Sequence, residues 1–222
     1  MHKLCYDSHD MVREDIKEFV KTIPSNVTIV AASKYVSADD IRLLKEAGIK
    51  DIGENRVDSF LTKFKELQGE DISWHFIGHL QRNKAKEVIN KIDYLDSLDS
   101  LKLAEIINSA RLSPLKCLIE VSINLEENKN GVPYFEVENF IKELEKYKNI
   151  KIMGFMMMAI KHSEDDSLKE QFKKLRLLKD EMEDIFQRKF PYLSMGMSED
   201  YLEAIEEGST HIRLGRILFN LL

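Results

Sequence analysis

The sequence predicts an α/β fold, a single-domain (β/α)8 TIM barrel with an extra helix at its N-terminus. Eight short apolar segments alternate with segments of helical period along the 222 residues. Such alternation is typical of parallel strands joined by right-handed crossovers. Polar residues follow nearly every apolar segment, as expected where strand ends form a barrel mouth. No GxGxxG follows the first strand, which argues against an open dinucleotide-binding sheet.

The first elements show how the assignment is made. Apolar residues recur at helical spacing from about Ser8 to Lys21, which predicts the leading helix. The run from Val27 to Ala32 is rich in β-branched residues and is typical of a buried parallel strand. Ser37 then precedes acidic residues and an apolar face, which indicates a helix N-cap, and Gly48 ends that helix.

The same strand–helix unit recurs to the end of the chain. The other seven predicted strands are IKDIGEN, ISWHFIGHL, DYLDSLD, PLKCLIEVSI, IKIMGFMMMAI, YLSMGM and THIRLG. The helices between them are VDSFLTKFKEL, a segment with Ala85, Val88 and Ile89, SLKLAEIINSA, VPYFEVENFIKELEKY, Ser167 to about Arg188, and SEDYLEAIEEG, and RILFNLL closes the chain. Eight units in about 200 residues favour a closed barrel. Because no linker interrupts them, we predict one domain over residues 1–222.

The composition is that of a soluble globular protein, with 43% hydrophobic and 32% charged residues. A net charge of −6 without a basic block predicts no nucleic-acid partner. No apolar stretch is long enough to cross a membrane, and the N-terminus lacks the apolar core of a signal peptide. Two cysteines, Cys5 and Cys117, give no disulfide framework. We therefore expect a cytoplasmic protein with no membrane partner.

Lys34 stands just past the first predicted strand, in TIVAASKYVS. Burying its charge within the sheet would be costly, whereas a position at the carboxyl end of the strand lets the side chain face a cavity. A depressed pKa there would make the amine a nucleophile for Schiff-base chemistry. The alternative is a lysine that opens a loop and extends its ammonium into solvent. The stretch alone leaves both interpretations open.

The last two strand ends predict a phosphate site. SMGMSED places Ser198 after a glycine, where it can cap the next helix while neighbouring N–H groups face an anion. HIRLGR places Arg213 and Arg216 around Gly215, and arginine binds phosphate oxygens in a bidentate manner. Barrels commonly bind phosphate at this position. An ordinary helix cap with two surface arginines is the alternative.

A lysine and a phosphate site at one barrel mouth favour a phosphorylated aldehyde or ketone, and pyridoxal 5′-phosphate satisfies both. Its aldehyde would condense with Lys34, and its phosphate would lie at Ser198 and Gly215. Arg213 stands on a strand and would face the ring nitrogen. An arginine there would keep that nitrogen unprotonated and weaken the electron-sink character on which most catalysis by this cofactor depends.

Other motifs give weaker signals. His75 and His79 would lie roughly 13 Å apart on one strand, too far for one metal ion, and we predict no metal site. The methionine run from Met156 to Met158 is predicted to pack in the core, where one of them could lie under a ligand ring.

Five motifs are specific when they occur together and in this order: AASKYVS, DIGENRV, WHFIGHLQRNK, GFMMMAI and LSMGMSEDYLEAIEEGSTHIRLGRILF. Jointly they resemble the pyridoxal phosphate homeostasis protein family (YggS/PROSC type) over nearly the whole chain, from about Thr28 to Phe219. The resemblance implies a barrel like the N-terminal domain of alanine racemase, of fold type III. It also implies that Lys34 holds pyridoxal phosphate as a Schiff base.

The resemblance implies further site residues. They contact the phosphate or the ring, or line the mouth, and are Ser198, Arg213, Gly215, Asn55 and His79. The chain departs from the family pattern at Gly196, where the family often has an acidic or polar residue, and at Phe219-Asn220, where the family usually has FG.

The family function implied is that of a carrier that takes part in pyridoxal phosphate homeostasis without established catalytic activity. Racemases of this fold need a second domain that supplies an opposing base, and this chain stops just after the eighth strand, so we expect no catalysis. A racemase-like pyridoxal phosphate enzyme, a Schiff-base aldolase and a protein that docks on apo-enzymes are the alternatives. We expect a monomer or weak dimer, with apo-forms of pyridoxal phosphate enzymes as partners.

Overall fold

The computed structural model of the chain describes residues 12–123, 130–160 and 167–219. Its strands are β1 (Thr28–Ala32), β2 (Asp51–Glu54), β3 (Ser73–Phe76), β4 (Tyr94–Leu98), β5 (Leu115–Ser122), β6 (Val132–Pro133), β7 (Ile150–Met156), β8 (Tyr192–Met197) and β9 (His211–Leu214). Its helices are α1 (Ile16–Thr22), α2 (Ala38–Glu46), α3 (Val57–Glu66), α4 (Ala85–Val88), α5 (Leu101–Ala110), α6 (Val137–Leu144), α7 (Leu168–Phe186) and α8 (Tyr201–Glu206). None of these helices combines the length and apolarity needed to span a membrane.

Eight of these strands close into a parallel barrel. Neighbours run in the order β4–β3–β2–β1–β9–β8–β7–β5, and β4 also pairs with β5. Val30 of β1, for example, pairs with Asp51 of β2 on one side and with Arg213 of β9 on the other. The two-residue strand β6 pairs with the end of β5, outside this ring. The predicted (β/α)8 barrel with a leading helix is confirmed.

Side-chain caps mark the beginnings of α2 and α7. Ser37 and Asp40 form a capping box at α2: the Asp40 N–H donates to Ser37 Oγ at 3.2 Å, and the Ser37 N–H donates to the Asp40 carboxylate at 2.8 Å. Ser167 and Glu170 form the same pair of bonds at α7. These bonds satisfy N–H groups that no carbonyl within the helix reaches, and the N-cap predicted at Ser37 is confirmed.

The leading helix is shorter than predicted. It starts at Ile16 rather than near Ser8, and Val12 instead forms an antiparallel bridge with Phe219. Backbone groups of Val12 are therefore engaged by the far end of the chain. The predicted positions Cys5, Ser8 and Asn220 lie outside the described residues.

The predicted helix VPYFEVENFIKELEKY is also too long. Val132 and Pro133 form β6, a 3-10 turn follows over Tyr134–Glu136, and α6 spans only Val137–Leu144. Steric conflict with a proline ring disfavours helical backbone at the preceding residue. Val132 therefore stays extended and the helix starts beyond the proline.

The main apolar core lies between the strands and the surrounding helices. Phe60 and Phe64 of α3 pack against Trp74 of β3, with the ring centroids of Phe60 and Trp74 5.3 Å apart. A smaller buried cluster contains Leu118 and Met156 and is separate from this core. The apolar runs that predicted the strands thus reflect burial under helices.

A buried polar network occupies the barrel near the first residues of β2, β4 and β9. His75 Nδ1 lies 3.1 Å from Asp96 Oδ1, His75 Nε2 lies 3.0 Å from Asp51 Oδ1, and the ring stacks on Tyr94. Burial opposes a charge on His75, but the carboxylates of Asp96 and Asp51 outweigh it and raise its pKa to about 9. Burial lowers the pKa of nearby His211 to about 4. At neutral pH the barrel therefore holds one charged and one neutral histidine.

Candidate functional site

A cavity of about 360 Å³ opens at the carboxyl ends of β1, β8 and β9. Small-molecule sites commonly have about 300–1,000 Å³. Four of the six residues predicted for the site line this cavity, namely Lys34, Ser198, Arg213 and Gly215. The strand ends of the parallel barrel thus bring these four residues together, although Lys34 and Gly215 lie 181 positions apart in the sequence.

Lys34 follows β1 by two residues and its side chain is exposed. Its ammonium lies 4.6 Å from the centroid of the Tyr35 ring, a cation–π contact at an exposed site. The strand behind it is fully buried at Val30 and Ala31. The buried strand thus ends two residues before Lys34, and the Lys34 amine lies on the open side of the cavity.

Ser198 does not cap the following helix, so that prediction was wrong. Helix α8 begins at Tyr201 with Asp200 as its N-cap residue. Ser198 Oγ instead accepts hydrogen bonds from the backbone N–H groups of Gly215, at 3.2 Å, and Ile217, at 3.4 Å. These bonds join the loop after β8 to the loop after β9, and they use the acceptor sites of the hydroxyl. Its O–H is left to donate.

Arg213 points from β9 into the barrel and is buried, with 5% of its surface exposed. Its guanidinium donates to Ser194 Oγ at 2.7 Å and to the Met157 carbonyl at 2.8 Å. Burial lowers its pKa, but an arginine stays charged in proteins. A guanidinium has five N–H donors, and these two bonds leave further donors that can bind a ligand in the cavity. The anchored guanidinium is suited to a single contact with a ligand ring.

Two glycines lie near the carboxyl ends of β8 and β9, Gly196 within β8 and Gly215 directly after β9. A Cβ built on Gly215 would meet Ala32 first, at 3.7 Å, so the protein leaves this part of the cavity open. Gly196 has a φ of +94°, and a Cβ there would lie 2.6 Å from the Cβ of Ala204. A residue with a side chain at position 196 would therefore collide with α8, and glycine allows the helix to pack this closely.

Acidic side chains also line the cavity. Asp200 is buried and accepts a hydrogen bond from the Met197 N–H at 2.5 Å. Glu199 forms an ion pair with Arg216 at the rim, where the Arg216 side chain is 68% exposed. An incoming phosphate must compete with Glu199 for Arg216, so Ser198 is better placed than Arg216 to contact a phosphate.

Asn55 and His79 are separated from this group. They line a neighbouring cavity of about 210 Å³, together with Arg56 and Lys84. His79 Nδ1 lies 3.0 Å from Asp99 Oδ2. Asn55 Oδ1 is buried and has no hydrogen-bond partner among the described residues. The two residues therefore face a second compartment of the mouth rather than the space beside Lys34.

Comparison with known proteins identifies the family. The family model described as "Alanine racemase, N-terminal domain" matches residues 8–222. A pyridoxal phosphate homeostasis protein of Aquifex aeolicus is 40% identical over 198 residues, which make up 86% of this chain and 85% of that protein. This chain belongs to the pyridoxal phosphate homeostasis protein family. A member of the family from Synechocystis sp. is 37% identical over 207 residues, 91% of this chain and 94% of that protein.

Several solved structures share the fold of this pyridoxal phosphate homeostasis family member. PipY of Synechococcus elongatus PCC7942, solved without PLP, matches with a TM-score of 0.85 and 30% identity over 93% of this chain and 98% of PipY. PipY with PLP bound matches with a TM-score of 0.83 over 92% and 99%. An alanine racemase of E. faecalis matches with a TM-score of 0.72 over 94% of this chain and 57% of the racemase. At 12% identity that likeness shows the fold alone.

Three acidic residues of this pyridoxal phosphate homeostasis family member were not predicted as part of the site, namely Glu199 and Asp200, which line the cavity, and Glu120. Glu120 of β5 is 4% exposed, and its charge interacts with Asp99, Arg213 and His79. Burial, assisted by the Asp99 carboxylate, raises the pKa of Glu120 to about 7. The sequence signal for Glu120 was its position inside the apolar run PLKCLIEVSI, because burying an unpaired carboxylate in a strand costs free energy.

Proposed function

We propose that this family member binds pyridoxal phosphate reversibly on Lys34 and takes part in its homeostasis. The main support is one cavity in which an amine, a hydroxyl and a guanidinium converge, those of Lys34, Ser198 and Arg213. An aldehyde, a phosphate and a ring nitrogen need such a set of partners. PipY, at 30% identity, has been solved with PLP bound.

Each residue has a distinct role in the proposal. The neutral amine of Lys34 adds to the aldehyde carbon, one water leaves, and a C=N bond replaces the C=O bond. Water reverses the step and releases the aldehyde, whereas another primary amine displaces the Lys34 nitrogen and leaves with the cargo as a new Schiff base. Ser198 donates its O–H to the phosphate, which lies in the space left open at Gly215. Arg213 faces the ring nitrogen as a cation, which disfavours protonation of that nitrogen and suits storage better than catalysis.

The remaining parts of the proposal concern the protein as a whole. Asn55 and His79 line the mouth from the second compartment. We propose one pyridoxal phosphate-binding domain over residues 1–222, present in the cytoplasm as a monomer or weak dimer. The names of its relatives support a non-catalytic role. Apo-forms of pyridoxal phosphate enzymes are the proposed recipients of the cargo.

Lys34→Ala and Lys34→Arg should both lose the visible absorbance band that the wild-type protein acquires with pyridoxal phosphate. Arginine keeps the positive charge but has no amine that condenses with the aldehyde at neutral pH. Absorbance before and after borohydride, followed by peptide mass analysis, measures the change. Lys151→Ala is the matched control, because this lysine is exposed at the start of β7, at the opposite end of the barrel.

Retention of the band, or of the reduced label, in the Lys34 variants would contradict the assignment. The same loaded wild-type protein tests the carrier role. In D2O with a panel of amino acids, a carrier leaves the Cα hydrogens in place, whereas steady Cα exchange at turnover rates would identify an enzyme.

Ser198→Ala should weaken pyridoxal phosphate binding about tenfold, because one hydrogen bond to a charged group is worth ~1.5 kcal/mol or more. Binding of pyridoxal, which lacks the phosphate, should stay within about twofold of the wild-type value. Equilibrium titration with both aldehydes measures the two affinities. Equal losses for the two ligands would show that Ser198 acts only by joining the loops after β8 and β9.

A further inference from the structure

A buried ion pair lies directly behind Lys34. Lys63 of α3 is 8% exposed and Glu54, the last residue of β2, is fully buried. The Lys63 ammonium donates to Glu54 Oε1 and to the carbonyl oxygen of Ser33. Ser33 Oγ donates to the same carboxylate oxygen at 2.7 Å. The ion pair therefore bonds directly to the residue that precedes Lys34 in the chain.

These contacts engage every polar group of Ser33. Its N–H donates to the Gly53 carbonyl at 2.9 Å, its hydroxyl bonds to Glu54, and its carbonyl accepts from Lys63 and from the Val36 N–H at 3.2 Å. Lys34 itself projects beyond this anchored residue toward the cavity. The backbone on the N-terminal side of Lys34 is thus held in place, while the side chain of Lys34 extends away from it.

A buried ion pair contributes little net stability to a core, because both charges must lose their hydrating water. Apolar residues of similar volume often give equal stability at the same position. The cost is visible here, since Glu54 Oε2 is buried and has no hydrogen-bond partner in the described ranges. A carboxylate between a lysine and a serine hydroxyl does, however, fix one backbone conformation. Functional side chains need such support from the residues behind them.

We propose that Lys63 and Glu54 are positioning residues for Lys34: they hold the Ser33–Lys34 peptide so that the Lys34 amine meets the aldehyde of the cargo. The proposal rests on the proposed function of Lys34. It assigns no contact with the ligand to either residue. Its consequence is that breaking the pair slows Schiff-base formation on Lys34 although Lys34 is present and the barrel remains folded.

The test compares the rate at which Lys34 condenses with excess pyridoxal phosphate, followed by stopped-flow absorbance. Lys63→Met keeps the length of the stem and removes the charge, and it should slow condensation about tenfold or more, since small errors in position have large kinetic effects. Lys63→Arg should restore the rate to within about threefold. The matched control is Lys179→Met, which removes a lysine of α7 that is 19% exposed and pairs with Glu183.

A second readout needs no ligand. The Val36 amide, which donates to the Ser33 carbonyl, should exchange with deuterium faster in Lys63→Met than in Lys179→Met. If Lys63→Met does not fold, the double variant Lys63→Met/Glu54→Leu replaces both charges by apolar groups and carries the same expectation.

A wild-type condensation rate and wild-type Val36 exchange in a folded variant without the ion pair would overturn the proposal, whatever its melting temperature. Failure of the proposed function has a different signature. In that case the wild-type protein itself forms no adduct at Lys34, while the effect of Lys63 on Val36 exchange is still measured.

Discussion

Gly154→Ala should strongly destabilise the barrel. A Cβ at Gly154 would lie 1.7 Å from the carbonyl oxygen of Tyr192 and 2.6 Å from its carbonyl carbon, and both are backbone atoms of the neighbouring strand. The two residues pair in register between β7 and β8, one position after a shift in the pairing of β7 with β5. No side-chain rotation relieves this contact, so the strands must separate. We expect a loss of more than ~4 kcal/mol, a large part of the stability of most domains.

Urea unfolding followed by circular dichroism measures the effect. Gly69→Ala is the matched control: Gly69 also has a positive φ, of +86°, but a Cβ there would meet nothing within 4 Å. Its cost should be only the strain of a left-handed alanine, about 1 kcal/mol. Equal losses in the two variants would show that β7 and β8 tolerate a side chain between them, contrary to the geometry.

His75 should make the stability of the protein fall as the pH rises above neutrality. Its pKa is about 9 in the folded protein and about 6.5 in an unfolded chain. The ion pairs with Asp51 and Asp96 therefore contribute fully below pH ~6.5, and their contribution is lost as the pH rises through ~9. A difference of this size corresponds to roughly 3 kcal/mol. The free-energy difference between the wild type and His75→Gln should shrink by that amount between pH 6 and pH 10.

The difference between the two proteins is the quantity to measure, because Glu120 and His211 titrate in the same structure. His211 provides the internal control. Its pKa is lowered to about 4, so its effect on stability lies between pH ~6.5 and ~4, where falling pH favours the unfolded chain. The difference between the wild type and His211→Gln should therefore be flat above pH 7. A flat profile for His75→Gln from pH 6 to 10 would contradict the charged state of His75.

The fold was largely predictable because its signals are local. Ser37, Gly48 and Ser167 mark helix ends through their own backbone preferences, and the alternation of elements then leaves few topologies. The polar interior was not predictable in the same way. His75 and Asp96 are polar residues inside strands, and in β4 each face carries one polar residue, Asp96 on one face and Ser97 on the other, so the pattern does not reveal which face is inside. Their pairing depends on the register of neighbouring strands, which sequence patterns leave open.

The site was predictable to the extent that it follows from strand ends. Lys34, Ser198, Arg213 and Gly215 meet in one cavity for that reason, whereas the positions of Asn55 and His79 depend on how their loops turn. Lys63 was missed because a lysine on a helix is usually solvated. It lies three residues after Phe60 and four before Leu67, on the buried face of α3, and that spacing was the signal.

Pyridoxal phosphate bound to Lys34 would be accessible to solvent. The side chain that holds it is exposed, and its neighbour Tyr35 is 68% exposed. Under the proposed function, a primary amine from solution therefore reaches the C=N carbon by simple collision, without any part of the barrel opening. Release is then first order in the acceptor amine and second order overall, so the rate of cofactor transfer depends on the concentration of amines rather than on a conformational change. Amine buffers would belong among the reactants of any measurement on this protein.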